Sequence, residues 1–198
     1  MKKKEVVKPM FEVVNGQVSF MGRTWEVRRY RPSESFTFIS HGDNWELSNF
    51  YPCRLTYKGV DFQSSEQLFN WLRFQGNKGG KRLSPEDILN GILSKRGLDN
   101  GRWVKGYCAS KEAYINDAVT QVECLKTAIE TKYKWSGEFR NRLKLSGDKW
   151  IVEDASGHGD NFWGCVFNPA SGYYEGVNVC GRLLMGVRGG YNGGFNIF

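Results

Sequence analysis

The residues of this 198-residue chain that could perform covalent or acid–base chemistry include two carboxylates, Glu66 and Asp160, and one lysine beside an apolar stripe, Lys132. Glu66 lies in the segment SSEQLFNWLRF, where its spacing to Asn70 and Arg73 places all three side chains on one face of a helix. A carboxylate there could stabilise positive charge on a substrate. A plainer explanation also holds, because an acidic residue in the first turn is stabilised by the positive end of the helix dipole.

Lys132 stands near the end of the longest predicted helix, beside an apolar stripe that contains Val122, Leu125 and Ile129. A lysine in such a position either extends along the apolar surface to reach water or has its amine placed in a pocket. Removal from water would lower the pKa of the amine and make it a usable nucleophile. The pattern alone leaves both possibilities open.

The loop SGHGDNFWG, residues 156–164, combines Asp160 with the large rings of Phe162 and Trp163. Loops usually lack large apolar rings, so such a ring either covers the core or forms a platform for a ligand. Arg188, which glycines follow, is suited to capping a helix end or to holding a phosphate with two hydrogen bonds.

Several other kinds of site are disfavoured by the residue inventory. The motifs G-x-S-x-G, H-E-x-x-H and G-x-x-x-x-G-K-[ST] do not occur, and GNKGGKR at 76–82 resembles a phosphate-binding loop only loosely. Five scattered cysteines without a C-x-x-C pair, together with only two histidines, argue against a zinc site. We therefore expect no metal and no cofactor.

The composition is that of a globular protein, with 40% hydrophobic and 15% aromatic residues. The net charge of +7 modestly favours a phosphate-bearing partner. No apolar segment approaches the ~20 residues of a membrane span, and no apolar stretch typical of a signal peptide follows Met1. With its scattered cysteines in reduced form, the chain is expected to be cytoplasmic, without a membrane partner.

The elements that must position these residues are predicted to be mostly helical. One helix is predicted at SSEQLFNWLRF, where Ser64 and Gln67 form a capping box, and a second at LSPEDILNGIL, capped by Ser84. The longest helix is predicted from about Lys111 to Tyr133, and a shorter one at SGEFRNRLKL.

Strands are predicted mainly at the front of the chain. VVNGQV places Asn-Gly between β-forming residues, which is the strongest short signal for a hairpin, and MGRTWEVRRY adds a turn and a third strand. SFTFIS, CRLTYKGVDF and KWIVE are also predicted to be extended. The expected fold class is mainly α (α+β), a single helical domain with short N-terminal β-hairpins. We expect a basic β extension over residues 1–34, the main domain over 35–188 and a flexible glycine-rich tail over 189–198.

Six short segments occur in an order and spacing that resembles the NADAR superfamily. They are LSNFYP followed by Gly59, SSEQ around Glu66, Lys132–Tyr133 at the end of a long helix, LSGDKWIVE, DNFWG and GVNVCGRLLMGVR. The resemblance covers roughly residues 35–188. That superfamily contains N-glycosidases that act on riboflavin-biosynthesis intermediates and relatives that remove ADP-ribose from guanine in DNA. The resemblance implies a mainly helical domain that hydrolyses the C–N bond between ribose and a guanine-like base without a metal.

Carried over position by position, the resemblance implies that Glu66, Lys132 and Asp160 are catalytic. The substrate-binding residues that it implies are Asn49, Phe50, Glu153, Trp163, Gly164, Asn178 and Arg188. Trp163 would then be a stacking wall for a flat base, and stacking on an aromatic ring is worth ~1–3 kcal/mol per base. On this hypothesis, the loop at 156–164 exposes the indole of Trp163 so that a base can stack on it.

The chain departs from the family pattern at two places. The glutamine and lysine that follow the family's glutamate are here Asn70 and Arg73, and Asp117 replaces a tryptophan that helps to sandwich the base in the riboflavin-intermediate enzymes. That replacement, the charge of +7 and the basic first segment favour ADP-ribosylated guanine in nucleic acid as the substrate. A small ribosyl phosphate of riboflavin biosynthesis is the alternative substrate. A non-catalytic reader of ADP-ribose or nucleic acid is the alternative function.

Overall fold

A computed structural model describes residues 8–75, 88–95, 97–111 and 117–190 of the chain. The chain divides into two compact units. The 45–144 unit comprises residues 45–144, and the flanking unit comprises the segments on either side of it, up to residue 44 and from residue 145 onward.

The regular elements of the described residues are short strands and longer helices. In chain order the strands are β1 (Val13–Val14), β2 (Gln17–Phe20), β3 (Arg23–Glu26), β4 (Arg28–Tyr30), β5 (Ser35–Phe38), β6 (Leu55–Tyr57), β7 (Val60–Phe62), β8 (Trp150–Glu153), β9 (Val166–Asn168) and β10 (Tyr173–Gly176). The α-helices are α1 (Ser65–Gln75), α2 (Gly97–Lys111), α3 (Ala118–Trp135), α4 (Gly137–Leu145) and α5 (Val179–Arg188). Short 3-10 turns occur at Pro32–Glu34 and Trp45–Leu47, and Ile88–Leu93 is π-helical. Within the described ranges, none of these helices has the length and apolar character that crossing a membrane requires.

The predicted fold class, a mainly helical domain with hairpins at its front, is wrong. Within the described residues the protein is α+β, and its strands form several sheets. The strands that the sequence did not predict are β9 and β10, in the segment VFNPASGYYEG. Each is too short to show a clear alternation of apolar and polar residues. They form a sheet because β10 pairs with β4, which lies far earlier in the chain.

The first helix of the 45–144 unit begins as its sequence predicts. The backbone N–H of Gln67 donates to Ser64 Oγ at 3.2 Å, and Gln67 Oε1 accepts a hydrogen bond of 2.7 Å from the backbone N–H of Gln63. The side chains of Ser64 and Gln67 thus satisfy two backbone donors at the start of α1. This start fixes Glu66 in the first turn of α1.

The other helices of this unit agree only partly with the sequence prediction. The long helix is confirmed as α3, with its predicted apolar stripe of Val122, Leu125 and Ile129 buried, but its predicted start at about Lys111 is wrong. It begins at Ala118, because Asp117 caps it, and Lys111 ends α2 instead. The predicted cap at Ser84 lies outside the described residues. Helix α2 was not predicted, because three glycines within GLDNGRWVKGYCASK weaken the helical signal.

The flanking unit is built from three groups of strands and helix α5. Strands β1, β2 and β3 form an antiparallel sheet, β4, β10 and β9 form a second, and β5 pairs with β8 in parallel. The hairpin predicted at Asn15-Gly16 is confirmed, since both residues adopt the positive φ angles, 50° and 74°, that this tight turn requires. Helix α5 packs against β8, which positions the end of that strand.

Close packing between α5 and β8 depends on Gly181. A Cβ atom at Gly181 would lie 2.1 Å from the carbonyl oxygen of Ile151 and 2.5 Å from the side chain of Asn178. Neither a backbone carbonyl nor a buried amide that is bonded on both sides can move aside cheaply. Gly181 therefore permits the helix to approach the strand.

We expect Gly181→Ala to lower the free energy of unfolding by about 1–3 kcal/mol or more, because the added methyl group overpacks this contact. The matched control is Gly106→Ala in α2, where a Cβ meets nothing within 4 Å. That change should be neutral or should stabilise the helix by up to about 1 kcal/mol. Urea denaturation of both variants measures the difference, and equal stabilities would contradict this account of Gly181.

Candidate active site

The predicted site residues fall into two groups, one in each compact unit. The 45–144 unit holds Asn49, Phe50, Glu66 and Lys132. The flanking unit holds Glu153, Asp160, Trp163, Gly164, Asn178 and Arg188.

Lys132 lies in the last turn of α3, and its side chain is fully buried. Its Nζ donates a hydrogen bond of 2.5 Å to the carbonyl oxygen of Ser48. The same nitrogen lies 4.7 Å from the centre of the Phe139 ring and 5.4 Å from that of Tyr51. The amine is therefore placed in a pocket of one carbonyl and two aromatic rings, and the alternative in which it extends to water is excluded.

Burial has a large effect on the proton of this amine. It lowers the pKa of Lys132 from 10.5 to about 7, and electrostatic interactions with Cys53 and Glu46 only partly oppose that shift. An aromatic face attracts a cation, but it replaces the lost hydration incompletely. The amine is consequently about half neutral at physiological pH, and a neutral amine is nucleophilic.

Glu46 is a carboxylate near Lys132 that sequence reasoning missed. Its Oε1 lies 2.5 Å from Nη2 of Arg142 in a partly buried ion pair. Burial, the largest single effect, acts to raise the pKa of Glu46. The hydrogen bond from Arg142, a backbone hydrogen bond and the positive charges of Arg142 and Lys132 together outweigh it, so the pKa is lowered and the group stays ionised. The only sequence signal was an acidic residue in the short turn before LSNFYP, which by itself indicates nothing.

The segment that contains Asn49 connects Lys132 to the start of α1. The carbonyl of Asn49 accepts a hydrogen bond of 2.9 Å from the backbone N–H of Glu66. Ser65 Oγ lies 3.1 Å from Asn49 Oδ1. Since the neighbouring carbonyl, that of Ser48, accepts from Lys132, two consecutive peptide groups join α3 to α1. The structure thus links the amine of Lys132, through the backbone of Ser48 and Asn49, to the backbone of Glu66.

The carboxylate of Glu66 is held by a network of buried amides. Its Oε1 accepts a hydrogen bond of 3.0 Å from Asn70 Nδ2, which also donates to Asn100 Oδ1 at 2.6 Å. Arg73 Nη1 donates to Asn70 Oδ1 at 2.9 Å. Asn100 in turn donates to the carbonyl of Ile92 at 2.7 Å. Each member of the network therefore fixes the orientation of the next.

The surroundings of Glu66 favour its protonated form. Burial raises the pKa of Glu66, and the positive charge of Arg73 and the hydrogen bond from Asn70 oppose this only in part. A carboxyl group with a raised pKa can donate a proton near neutral pH and take it back. Asn70 and Arg73 thus set the environment of Glu66.

In the flanking unit, Asp160 organises the loop that sequence analysis singled out. Its Oδ1 accepts hydrogen bonds from the backbone N–H groups of Phe162, at 3.0 Å, and of Trp163, at 2.9 Å. The two rings of the loop have different environments, because Phe162 is fully buried and Trp163 is only partly buried. Phe162 covers the core, and Trp163 is the ring that remains accessible to a ligand.

Asn178 and Gly164 join the end of β8 to the start of α5. Asn178, at φ 57°, accepts a hydrogen bond of 3.2 Å from the backbone N–H of Glu153 and donates one of 2.9 Å to the carbonyl of Ile151. A Cβ atom at Gly164 would lie 2.7 Å from the carbonyl oxygen of Glu153. Both positions therefore have a structural reason for their residue type, and their contact with substrate stays a prediction.

Arg188 ends α5 and holds the turn before β8. Its Nη1 donates to Ser146 Oγ at 2.7 Å and to the carbonyl of Lys149 at 2.8 Å. Burial lowers the pKa of Arg188, which remains a cation at any physiological pH. These bonds do not test the predicted contact of Arg188 with a phosphate, which stays a prediction.

Within residues 8–75, 88–95, 97–111 and 117–190, no three His, Cys, Asp or Glu side chains are grouped so that they could hold an ion.

Sequence comparisons connect this chain to a family and to named proteins. The NADAR domain family profile matches residues 36–190. A riboflavin biosynthesis protein of Vibrio vulnificus is 27% identical over 160 residues, which are 80% of this chain and 36% of that protein, so the chain spans 36% of that relative's length. An N-glycosidase of Nostoc punctiforme is 22% identical over 142 residues, which are 72% of this chain and 82% of that protein.

A solved structure is also similar to this chain. The NMR structure of the E. coli protein YbiA superimposes with a TM-score of 0.56 at 19% sequence identity. The match covers 79% of this chain and 84% of the other. At this level of identity the similarity concerns the fold alone.

The pKa of Lys132 predicts how stability depends on pH. Between about pH 7 and 10.5 the unfolded chain carries the proton on this amine and the folded protein does not, so stability rises with pH in that interval. We expect the free energy of unfolding of the wild type, relative to that of Lys132→Met, to rise by about 2 kcal/mol between pH 6.5 and 8.5. Urea denaturation at both pH values measures this difference.

The control is Lys134→Met, which removes an exposed lysine from the same helix. Its stability difference from the wild type should be the same at both pH values. A pH-independent difference for Lys132→Met as well would show that the amine has an ordinary pKa in the folded protein.

Proposed function

Because the chain belongs to the NADAR family, we propose that it is an N-glycosidase that hydrolyses the C–N bond between ribose and a guanine-like base. The name of the Nostoc relative, an N-glycosidase, supports this reaction class. The observation that carries the proposal is the buried amine of Lys132, joined through the peptide groups of Ser48 and Asn49 to the turn that bears Glu66.

Cleavage of this bond needs an acid and a group that stabilises charge on the sugar. The bonding electron pair goes to the base nitrogen, which takes a proton, and positive charge develops at C1 of the ribose. Glu66 is suited to donate that proton, since burial raises its pKa. Asp160 is the second carboxylate that we propose for stabilising the sugar or orienting water.

Lys132 offers a covalent route to the same products. Its neutral amine attacks C1, the base leaves with the bonding pair and a proton, and the sugar ring opens to leave an imine between Nζ and C1. Water then adds to the imine and returns the free amine and the aldehyde form of the sugar. A pKa of about 7 keeps part of the amine neutral without a separate base. Since Nζ is fully buried, this route requires the substrate to displace the segment around Ser48.

Within this reaction class we favour ADP-ribosylated guanine in nucleic acid as the substrate. The net charge of +7 suits a polyanion. Asp117, which stands where the family has a tryptophan, caps α3 through the backbone N–H groups of Val119 and Thr120 and supplies no ring for a small free base. The alternative, a phosphorylated riboflavin intermediate, is supported by the name of the Vibrio relative.

One assay separates these candidates. The full chain is incubated with an oligonucleotide that carries ADP-ribosylated guanine and, separately, with the pyrimidinone ribosyl phosphate of riboflavin biosynthesis. Release of free ADP-ribose supports the favoured substrate, and release of ribose 5-phosphate supports the alternative. Binding of the oligonucleotide without release would instead indicate a non-catalytic reader.

The covalent route predicts that borohydride traps the enzyme. Reduction of the imine in a turnover mixture should yield protein heavier by the sugar moiety, with the adduct mapped to Lys132 by mass spectrometry of peptides. Lys132→Arg keeps a positive charge but removes the nucleophile, so both adduct and activity should be lost.

The matched control for this trapping is Lys134→Arg on the same helix, which should keep activity and adduct. An active Lys132→Arg variant that forms no adduct would assign Lys132 an electrostatic or structural role. Hydrolysis would then depend on Glu66 and Asp160.

A nucleic-acid substrate predicts a steep dependence of binding on salt. Each phosphate contacted by Lys or Arg contributes about −0.7 to −0.9 to the slope of log affinity against log salt concentration, because counterions are released. Fluorescence anisotropy measures this slope from the affinity of the Glu66→Gln variant for the modified oligonucleotide. The salt concentration is varied ~4-fold, from about 50 to 200 mM. The small ribosyl phosphate should show a shallow dependence, and an equally flat response for the oligonucleotide would remove the reason to prefer it.

A further inference from the structure

The sheet formed by β1, β2 and β3 precedes residue 36, where the match to the family begins. It nevertheless packs against a loop inside the family domain, and both belong to the flanking unit. The ring of Phe20, at the end of β2, stacks on the buried ring of Phe162 with centres 4.0 Å apart and planes 22° from parallel. Trp25 of β3 meets Phe162 edge to face at 5.3 Å.

Backbone hydrogen bonds tie the chain before this sheet to the same loop. The N–H of Met10 donates to the carbonyl of Gly159 at 2.6 Å. The N–H of Phe11 donates to Asn161 Oδ1 at 2.9 Å, and Asn161 Nδ2 donates back to the carbonyl of Phe11 at 2.8 Å. These three bonds bracket Asp160, whose carboxylate sets the turn that follows.

Trp163 is held by two rings from different segments. Phe20 meets its indole edge to face, with centres 6.0 Å apart and planes at 77°. Phe162 meets it in the same manner at 4.9 Å and 80°. Edge-to-face pairs are directional, so they favour one orientation of the indole over others. Phe20 itself is partly exposed, and its ring contacts both the buried ring of Phe162 and the partly exposed indole of Trp163.

We propose that the sheet β1–β3 is a positioning element for Trp163 and that Phe20 is its positioning residue. This inference rests on the proposed function in one respect, the role of the indole as a wall for the base. The sheet adds no catalytic group. Together with Phe162 it restricts the orientation of the indole, and a more restricted ring loses less entropy when a base stacks on it.

The variants that test this inference separate the ring of Phe20 from its apolar volume. Phe20→Leu keeps an apolar side chain over Phe162 but removes the aromatic edge that meets Trp163. Phe20→Tyr keeps the ring, and its hydroxyl is tolerated because the position is partly exposed. Val14→Ala is the control on the same sheet, since Val14 is 57% exposed.

The first readout requires no substrate. In the full chain labelled with ¹⁵N-tryptophan, the indole N–H signal of Trp163 is assigned by its loss in Trp163→Phe. The {¹H}–¹⁵N NOE of this signal reports motion on the picosecond to nanosecond timescale. It should fall in Phe20→Leu and stay at the wild-type value in Phe20→Tyr and Val14→Ala. An unchanged NOE in Phe20→Leu would overturn the inference.

The second readout is kinetic. With whichever substrate the wild type hydrolyses, Phe20→Leu should raise KM roughly 5- to 10-fold, part of the effect expected for losing a stacking contact, with a smaller change in kcat. Phe20→Tyr should restore the wild-type KM. An unchanged KM in Phe20→Leu would overturn the positioning role in substrate binding.

The two readouts keep failure of the inference distinct from failure of the proposed function. If the wild type hydrolyses neither substrate, the proposed function fails, and the NOE still decides whether Phe20 positions Trp163. If Phe20→Leu does not fold, as judged by its thermal transition, Phe20→Met replaces it in both measurements, because an unbranched side chain adapts to the same space.

Discussion

The burial of the Lys132 amine is the constraint on which the geometry of the 45–144 unit depends. A charged or half-charged nitrogen without water needs acceptors and polarisable surfaces, and here it has the carbonyl of Ser48 and the rings of Phe139 and Tyr51. Those partners come from the segment before α1 and from α4. Holding the amine therefore fixes the segment before α1 and helix α4 against the end of α3. The next peptide group, that of Asn49, links this arrangement to the backbone of Glu66.

The polar network around Glu66 shows why Asn70 and Arg73 depend on each other. A buried carboxyl group is tolerated only when its oxygens are bonded, and Asn70 supplies that bond while Arg73 orients Asn70 from the next turn. The shorter amide of Asn70 also reaches Asn100 on α2. A longer side chain at position 70 would alter the distances from its amide to Glu66 and to Asn100. Asn70 and Arg73 therefore act as one unit in this network.

Local signals in the sequence predicted local structure, while pairing between distant segments escaped them. The start of α1 at Ser64 and the turn at Asn15-Gly16 each depend on a few adjacent residues, and both were predictable. Strand β10 depends on β4 instead, and no period within its four residues shows that partner. In the same way, the pattern around Lys132 showed an apolar stripe but could not show that Ser48 and two rings would enclose the amine.

The loop at 156–164 shows how one short segment can support both the core and a ligand. Asp160 accepts the backbone N–H groups of two successive residues, and since their side chains leave the turn in different directions, Phe162 is buried while Trp163 is not. Within the described residues the hydrogen bonds of this carboxylate are made by Oδ1, so on the proposed function Oδ2 is the oxygen that faces the sugar. The loop therefore orients the carboxylate of Asp160 before any substrate binds. A carboxylate oriented in advance needs less reorganisation to stabilise positive charge that develops on a substrate.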